Sequence, residues 1–406
     1  MHEETICVIG LGYIGLPTAA LLASNGYRVM GVDTNVHVVD TINEGRVHIV
    51  EPDLDSYVRS AVTLGRLTAH PSPQSADIYI ICVPTPFYDG EGIPQPNVEY
   101  VLAATLSIAQ FIRPGNLVIL ESTSPVGTTQ RMVECLEEFG VNTASLYVAY
   151  CPERVLPGNI MRELIENDRI VGGYSEESTK AVGDFYRTFV KGEVLETDAR
   201  TGEMCKLTEN SFRDVNIAFA NELSLICSNS NIDVWNLIKL ANRHPRVNIL
   251  QPGTGVGGHC IAVDPWFIVS SDPENARLIR TAREVNNYKT EWVIDSISQS
   301  VAELTDSLNR KVKIACLGLA FKPDIDDLRE SPAQDVALSL QAKGFDVLAV
   351  EPNVNSHEAL RVVSLSDAFE VADIIVALVK HREFQTPSAL ARMNEVVFLD
   401  FCGIGK

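Results

Sequence analysis

Ile6-Cys7-Val8-Ile9-Gly10-Leu11-Gly12-Tyr13-Ile14-Gly15, followed by Pro17-Thr18-Ala19-Ala20-Leu21-Leu22, decides the fold at the start of the chain. An apolar run, a glycine turn and a second apolar run read as a strand, a tight turn and a helix start. Gly10 and Gly12 let the backbone turn and approach a pyrophosphate. Gly15 lets the helix pack closely on the strand, and the helix N-terminus offers NH groups and partial positive charge. The next strand, Tyr27 to Val32, ends in Asp33, at about the spacing of a carboxylate that binds ribose hydroxyls. Thr34 and Asn35 follow it, with no arginine for a 2′-phosphate, so NAD is expected rather than NADP.

The pattern recurs near the other end. Ile314 to Pro323 matches Ile6 to Gly15, Phe345 to Glu351 matches Tyr27 to Asp33, and Ala372 to Val379 matches Ala76 to Val83. Val396 to Asp400 likewise matches Leu117 to Glu121. Apolar strands alternating with helical segments in both regions predict two parallel α/β units. The second unit keeps its strands but puts Lys322 and Arg329 where a glycine loop would cradle phosphate. Charge would then hold an anionic ligand there, although Asp324, Asp326 and Asp327 beside them could make ion pairs instead.

Between the units the period changes to long helices, over Glu203–Ser228, Val234–Arg243 and Asn275–Val301. In the first, Met204, Leu207, Ser211, Val215, Ala218, Phe219, Glu222, Leu225 and Ile226 form a mostly apolar stripe, a core or dimer face. Lys206, Asn210 and Arg213 share another face at i, i+4 and i+7. The expected architecture is therefore α/β, with two Rossmann-like doubly wound parallel-sheet domains (1–196 and 306–406) joined by a central helical domain (197–305).

Composition narrows the function classes. The 406 residues carry 33 Lys and Arg against 53 Asp and Glu, a net charge of −20. That balance disfavours nonspecific binding to nucleic acid or to an anionic membrane. No apolar stretch approaches the ~20 residues of a membrane span. The nine cysteines are scattered, without a CxxC pair or a signal peptide, so a reduced, cytoplasmic protein with no metal site is expected. One of them, Cys260, lies in the glycine-dense run Gly255 to Pro265. Taken alone it reads as an inert buried thiol.

Six motifs change that reading. GLGYIGLP at Gly10, ESTSPVGT at Glu121–Thr128, CPERVLPG at Cys151–Gly158, EMCKLTEN at Glu203–Asn210, GVGGHCIAVDP at Gly255–Pro265 and FKPDIDDLRESPA at Phe321–Ala333 occur in this order. Together they resemble the UDP-glucose/GDP-mannose dehydrogenase family from end to end. His244-Pro245-Arg246-Val247-Asn248 and GGHCIAVDPW resemble its UDP-N-acetyl-D-mannosamine branch more than its UDP-glucose branch. Val263 and Pro157 stand where the UDP-glucose branch has a lysine and a second glutamate, so those roles do not carry over.

The resemblance implies a four-electron oxidation of the sugar C6 alcohol of UDP-N-acetyl-D-mannosamine to a carboxylate with two NAD, through a thiohemiacetal and thioester on Cys260, for a surface polysaccharide. Lys206 and Asn210 would hold oxygen charge at C6, and Asp264, or else Glu153, would orient or activate the hydrolytic water. Tyr13, Ile14, Thr85 and Thr123 would lie near the cofactor, with Gly10, Gly12, Gly15 and Asp33, and Arg329 would reach it. Arg154, Val155, Lys206, Asn210, Arg213, His244, Arg246, Gly257, Phe321 and Lys322 would hold the nucleotide sugar. Residues alone leave His244 open as a loop residue closing a helix C-terminus. The family implies a homodimer in which Arg246 serves the neighbouring site. Two alternatives stand beside this reading: the same chemistry on UDP-N-acetylglucosamine or another UDP-hexosamine, and a catalytically silent nucleotide-binding regulator on the same fold.

Overall fold

The computed structural model describes residues 3–88, 90–258 and 260–406, in two compact units, residues 1–208 and 209–406. The first runs β1 (Thr5–Ile9), α1 (Gly15–Ser24), β2 (Arg28–Val32), α2 (Val36–Asn43), α3 (Leu54–Thr63), β3 (Leu67–His70), β4 (Ile78–Ile81) and α4 (Glu99–Ala109). It continues through β5 (Leu117–Leu120), α5 (Thr128–Glu138), β6 (Tyr147–Tyr150), α6 (Ile160–Glu166), β7 (Arg169–Gly173), α7 (Glu176–Tyr186) and β8 (Val194–Asp198). Its sheet has the order β3-β2-β1-β4-β5-β6-β7-β8. The first six strands pair in parallel and give the doubly wound dinucleotide-binding order, with the direction of winding reversed between β1 and β4. Helices cover both faces: Leu16 and Leu22 pack with Ile6 and Val8, while Val101, Ile108 and Met132 pack with Cys7 and Ile9.

An all-parallel sheet is corrected at one edge. β7 pairs antiparallel with β6 and carries β8 parallel to itself. An apolar run such as Ile170-Val171 reports that a strand exists. Its direction is set by the path of the preceding connection, which residue type does not encode.

The helix α8 spans Ala199–Asn229, four residues earlier at its start than the apolar period places it. The second unit continues with α9 (Val234–Ala241), α10 (Asp264–Ser271), α11 (Arg277–Leu308), β9 (Lys313–Leu317), α12 (Pro332–Ala342), β10 (Asp346–Val350), α13 (Leu365–Val371), β11 (Ile374–Ala377), α14 (Pro387–Met393) and β12 (Val397–Asp400). Its sheet, β10-β9-β11-β12, is parallel throughout and repeats the order β2-β1-β4-β5. The repeat reaches single hydrogen bonds. Gly10 N donates to Val32 O and Gly318 N to Val350 O, each at 2.8 Å.

The packing of α8 departs from its apolar stripe. Leu207, Ser211 and Ala218 are buried, but Met204, Phe219 and Ile226 are 39%, 53% and 51% exposed, and Phe212 is 68% exposed. Polar residues take the buried side instead. Asp214, Asn221 and Ser224 on α8 and Arg283, Asn286 and Lys289 on α11 are all buried. Arg283 donates to Asp214 Oδ1 at 2.7 Å. Burial pushes the Lys289 ammonium down to about 7. It donates to Ser224 Oγ at 2.7 Å and lies 4.2 Å from the centre of the Trp292 ring.

Candidate active site

The first turn fits a dinucleotide. A Cβ on Gly12 would meet nothing within 4 Å, so the missing side chain leaves that face open to a ligand and fills no packing need. Ile14 caps α1 without a side-chain hydrogen bond, which leaves the helix N-terminus to a ligand's charge. Asp33 holds the turn from β2: Oδ2 accepts from Leu11 N at 3.1 Å and Oδ1 from Asn35 N at 2.9 Å. Tyr13 and Ile14 are half-buried beside it. Thr85, after β4, donates to the carbonyl of Thr123, after β5, at 2.6 Å. These residues follow the C-terminal ends of β1, β2, β4 and β5, where an open α/β sheet takes its ligands.

The loop after β6 carries a titratable group. Glu153 is buried, and burial pushes its carboxyl up to about 7 although Lys206 and Arg169 pull it down. Its Oε1 accepts from Val155 N. Lys206, itself buried, donates to the Glu153 carbonyl at 2.7 Å. Arg154 reaches Asp168 O at 3.1 Å. Thus Glu153, Arg154, Val155 and Lys206 belong to one local arrangement, and Lys206 is no solvated surface cation.

In the second unit Asn210 Nδ2 donates to Asp264 Oδ2 at 2.5 Å. Asp264 is buried at the first position of α10, and its NH donates to Cys260 O at 2.8 Å. Cys260 is exposed, so it is not the buried, inert thiol that an isolated cysteine suggests. His259 lies outside the described residues. Gly257 and Gly258 have a packing reason: a Cβ would stand 2.2 Å from Glu330 O at the first and 2.9 Å from the Phe321 ring at the second. Gly257 and Phe321 are therefore brought together, with Lys322 half-buried next in the chain.

Other expected ligands are placed differently. Arg213, His244 and Arg246 are exposed. His244 sits in the turn after α9, its NH on Ala241 O at 3.0 Å and its Nδ1 accepting from Arg246 N at 3.3 Å. Arg329 forms a two-pronged pair with Asp327 at 2.9 and 2.7 Å, the ion pair its acidic neighbours allow. Asp324, His381 and Glu383 bring ligand atoms within 4.8 Å of one another. Both ring nitrogens of His381 are nevertheless engaged, Nδ1 with Asp324 N at 3.0 Å and Nε2 with Glu351 at 3.1 Å.

Residues 4–190 match the NAD binding domain of the UDP-glucose/GDP-mannose dehydrogenase family, residues 200–288 its central domain and residues 315–406 its UDP binding domain. The chain belongs to this family. It is an oxidoreductase with an NAD-binding domain of that family. Among curated relatives, the UDP-N-acetyl-D-mannosamine dehydrogenase of Escherichia coli K12 is 55% identical over 403 residues, 95% of each chain. An NDP-N-acetyl-D-galactosaminuronic acid dehydrogenase of Ralstonia nicotianae is 52% identical, over 94% of this chain and 92% of its own. Among solved structures, UDP-D-ManNAc dehydrogenase from Pyrococcus horikoshii superposes with a TM-score of 0.90 at 39% identity, covering 99% of this chain and 96% of that one.

Two buried carboxylates escaped the reading of the family motifs. Glu203, three residues before Lys206, accepts from Gly127 N, Thr129 N and Thr129 Oγ1 at 2.6 to 2.7 Å and fixes the start of α5. Glu121 accepts from Tyr186 OH at 2.6 Å. Both lie inside quoted motifs, and an acidic residue in an otherwise apolar or hydroxyl-rich stretch was the available signal.

Proposed function

We propose that the chain oxidises C6 of UDP-N-acetyl-D-mannosamine to the uronic acid. The observation that carries this is an exposed Cys260 beside an Asp264 held by Asn210, in a chain 55% identical to a UDP-N-acetyl-D-mannosamine dehydrogenase over 95% of its length. Bound at the first turn, NAD supplies a hydride acceptor in each of two successive half-reactions. Gly10, Gly12, Tyr13, Ile14, Gly15, Asp33, Thr85 and Thr123 hold it, with Arg329 as a further contact.

Lys206 and Asn210 stabilise charge on the C6 oxygen as the alcohol becomes an aldehyde. The Cys260 thiol then adds across the aldehyde carbonyl, its sulfur bonding to C6 and a proton going to oxygen. Loss of hydride from that carbon, with the hydroxyl proton, leaves a thioester. Water cleaves the thioester, the carboxylate departs and the thiol is restored. One alcohol, one water and two NAD thus give one carboxylate, two NADH and three protons.

Glu153 is the base for the water, because burial pushes its carboxyl up to about 7 and leaves it half-ionised near neutral pH. Asp264 orients it. Arg154, Val155, Arg213, His244, Arg246, Gly257, Phe321 and Lys322 hold the nucleotide sugar. The Ralstonia relative, named for another configuration and nearly as similar, makes the sugar the first thing to test. NADH formed per sugar consumed should be about two with UDP-N-acetylmannosamine and none with the gluco or galacto epimers. The reverse preference would move the assignment to that epimer, and no NADH from any would favour the silent binder. The rate should rise with pH through about 7, because Glu153 acts only when ionised. Glu153→Gln should lower it roughly a hundredfold and abolish that limb.

The chain reads as three domains, 1–196, 197–305 and 306–406, with family-domain bounds in support. Phe212, Phe219 and Ile226, exposed at intervals of seven on α8, suit the face of a homodimer in which Arg246 serves the neighbouring site. Phe219→Asp should give monomers by light scattering, and an unchanged mass would dismiss that face. Among the described residues no helix is long and apolar enough to cross a membrane, and a cytoplasmic enzyme is the reading we carry forward.

A further inference from the structure

The segment from Gly253 to Asp264 contains Cys260 and is tied at both ends to α8. At its far end Asp264 accepts from Asn210. At its near end Gly253 N donates to Asn221 Oδ1 at 2.9 Å. Asn210 and Asn221 are eleven residues apart, about 16 Å along the helix, and lie on the side that also carries Asp214. One face of α8 therefore fixes where the segment begins and ends.

The near tie has a direction built into it. An amide can present either its oxygen or its nitrogen to Gly253, and only the oxygen bonds an NH. Asn221 is fully buried, and its Nδ2 donates to Asn286 Oδ1 at 2.9 Å, so its oxygen must face Gly253. Asn286 is oriented in turn because its Nδ2 donates to Asp214 Oδ1 at 2.8 Å, and an ionised carboxylate accepts only. Arg283, 2.7 Å from that same oxygen, favours the ionised form. Each member decides which way the next one points, and the last presents an acceptor to the base of the cysteine segment. A second, weaker tie lies beside it, from Thr290 Oγ1 to Thr254 O at 2.9 Å.

We propose that Asn221, oriented through Asn286 by the Asp214–Arg283 pair, is a positioning residue for Cys260: it places the thiol to capture the aldehyde before the aldehyde escapes. The inference rests on the thiol reading above. Its consequence concerns the second half of the reaction alone, because the first oxidation does not use Cys260.

The test is NADH formed per UDP-N-acetylmannosamine consumed, in the full-length enzyme with semicarbazide present to trap any released aldehyde. Wild type should give about two. Asn221→Ala should fall toward one, with semicarbazone appearing and kcat down about tenfold or more. Thr290→Val, nearly isosteric, should move the same way by less. Ile297→Ala, a fully buried change further along α11 in the core of the second sheet, should stay at two. A mere loss of stability lowers the amount of active enzyme and leaves the ratio at two, so a ratio of two for Asn221→Ala overturns the proposal. So does an equal fall in Ile297→Ala. Should Asn221→Ala fail to fold, Asn221→Ser and Thr290→Val decide, and two NADH from both is the overturning result. If Cys260→Ala itself gives two, the thiol reading fails, and that outcome is distinct from the others.

Discussion

Cys260→Ala should bring carboxylate formation down by at least about a thousandfold while leaving the first oxidation in place. The physical reason is that a free aldehyde has no good second hydride to give. Converting its carbon from trigonal to tetrahedral through sulfur supplies one, and the resulting thioester is activated toward water. Without the sulfur, the first step comes to equilibrium on the side of the alcohol, and little NADH accumulates. Adding semicarbazide withdraws the aldehyde and should raise the yield to about one NADH per sugar. The exposed position of Cys260 makes the comparison clean, since a smaller side chain there opens no cavity in a core. Substantial carboxylate from the variant would remove the covalent mechanism.

Asp214→Ala should be the most destabilising change in the second unit, at about 3–5 kcal/mol, read as a shift of the urea midpoint. Arg283 is 4% exposed and Asp214 0%, and removing the carboxylate strands the guanidinium in a place that water does not reach. The pair is not itself a large source of stability. Burial pushes the Asp214 carboxyl up against the pull of Arg283, and Asp214 Oδ2 and Arg283 Nε find no hydrogen-bond partner among the described residues. Replacing both partners, as Asp214→Leu with Arg283→Met, should therefore recover most of the loss. If the double variant is as unstable as the single one, desolvation is not the source of the cost.

The same interface shows where sequence patterns stop being informative. β1, β4 and β5 and the counterparts β9 and β11 were legible because parallel strands buried on both faces are apolar runs, and β2, β10 and β12 followed from the repeat. The cofactor turn was legible because glycines there have one job. On α8 the rule that apolar residues face the chain's own core holds only in part: Leu207 and Ala218 are buried, but Phe219 and Ile226 face out, and Asp214, Asn221 and Ser224 face in. Such a reversal is stable only because α11 supplies a matching partner at each level, and a period calculation on one helix cannot see the other. Lys206 was legible only by resemblance, since a cation at helical spacing from Asn210 and Arg213 is ordinarily solvated. Its burial against the Glu153 carbonyl comes from a loop some fifty residues away. Glu153 was legible only as the second candidate base that the resemblance implies, and the burial that pushes its carboxyl up, against the pull of Lys206 and Arg169, is not announced by its neighbours in sequence.

The two α/β halves share a strand order and differ in what the carboxylate after the second strand holds. In the first, Asp33 steadies the turn through Leu11 and the loop through Asn35, near the surface. In the second, Glu351 reaches one methylene further, accepts from Leu319 N and Ala320 N at 2.7 and 3.0 Å, and is sealed by the buried His381. Leu11 N and Leu319 N are thus held alike, and the second half differs in that Ala320 N, at the position of Gly12, is held as well. Residues 4–190 match the family's NAD binding domain and residues 315–406 its UDP binding domain, and the inward-turned Glu351 of the second half goes with that difference.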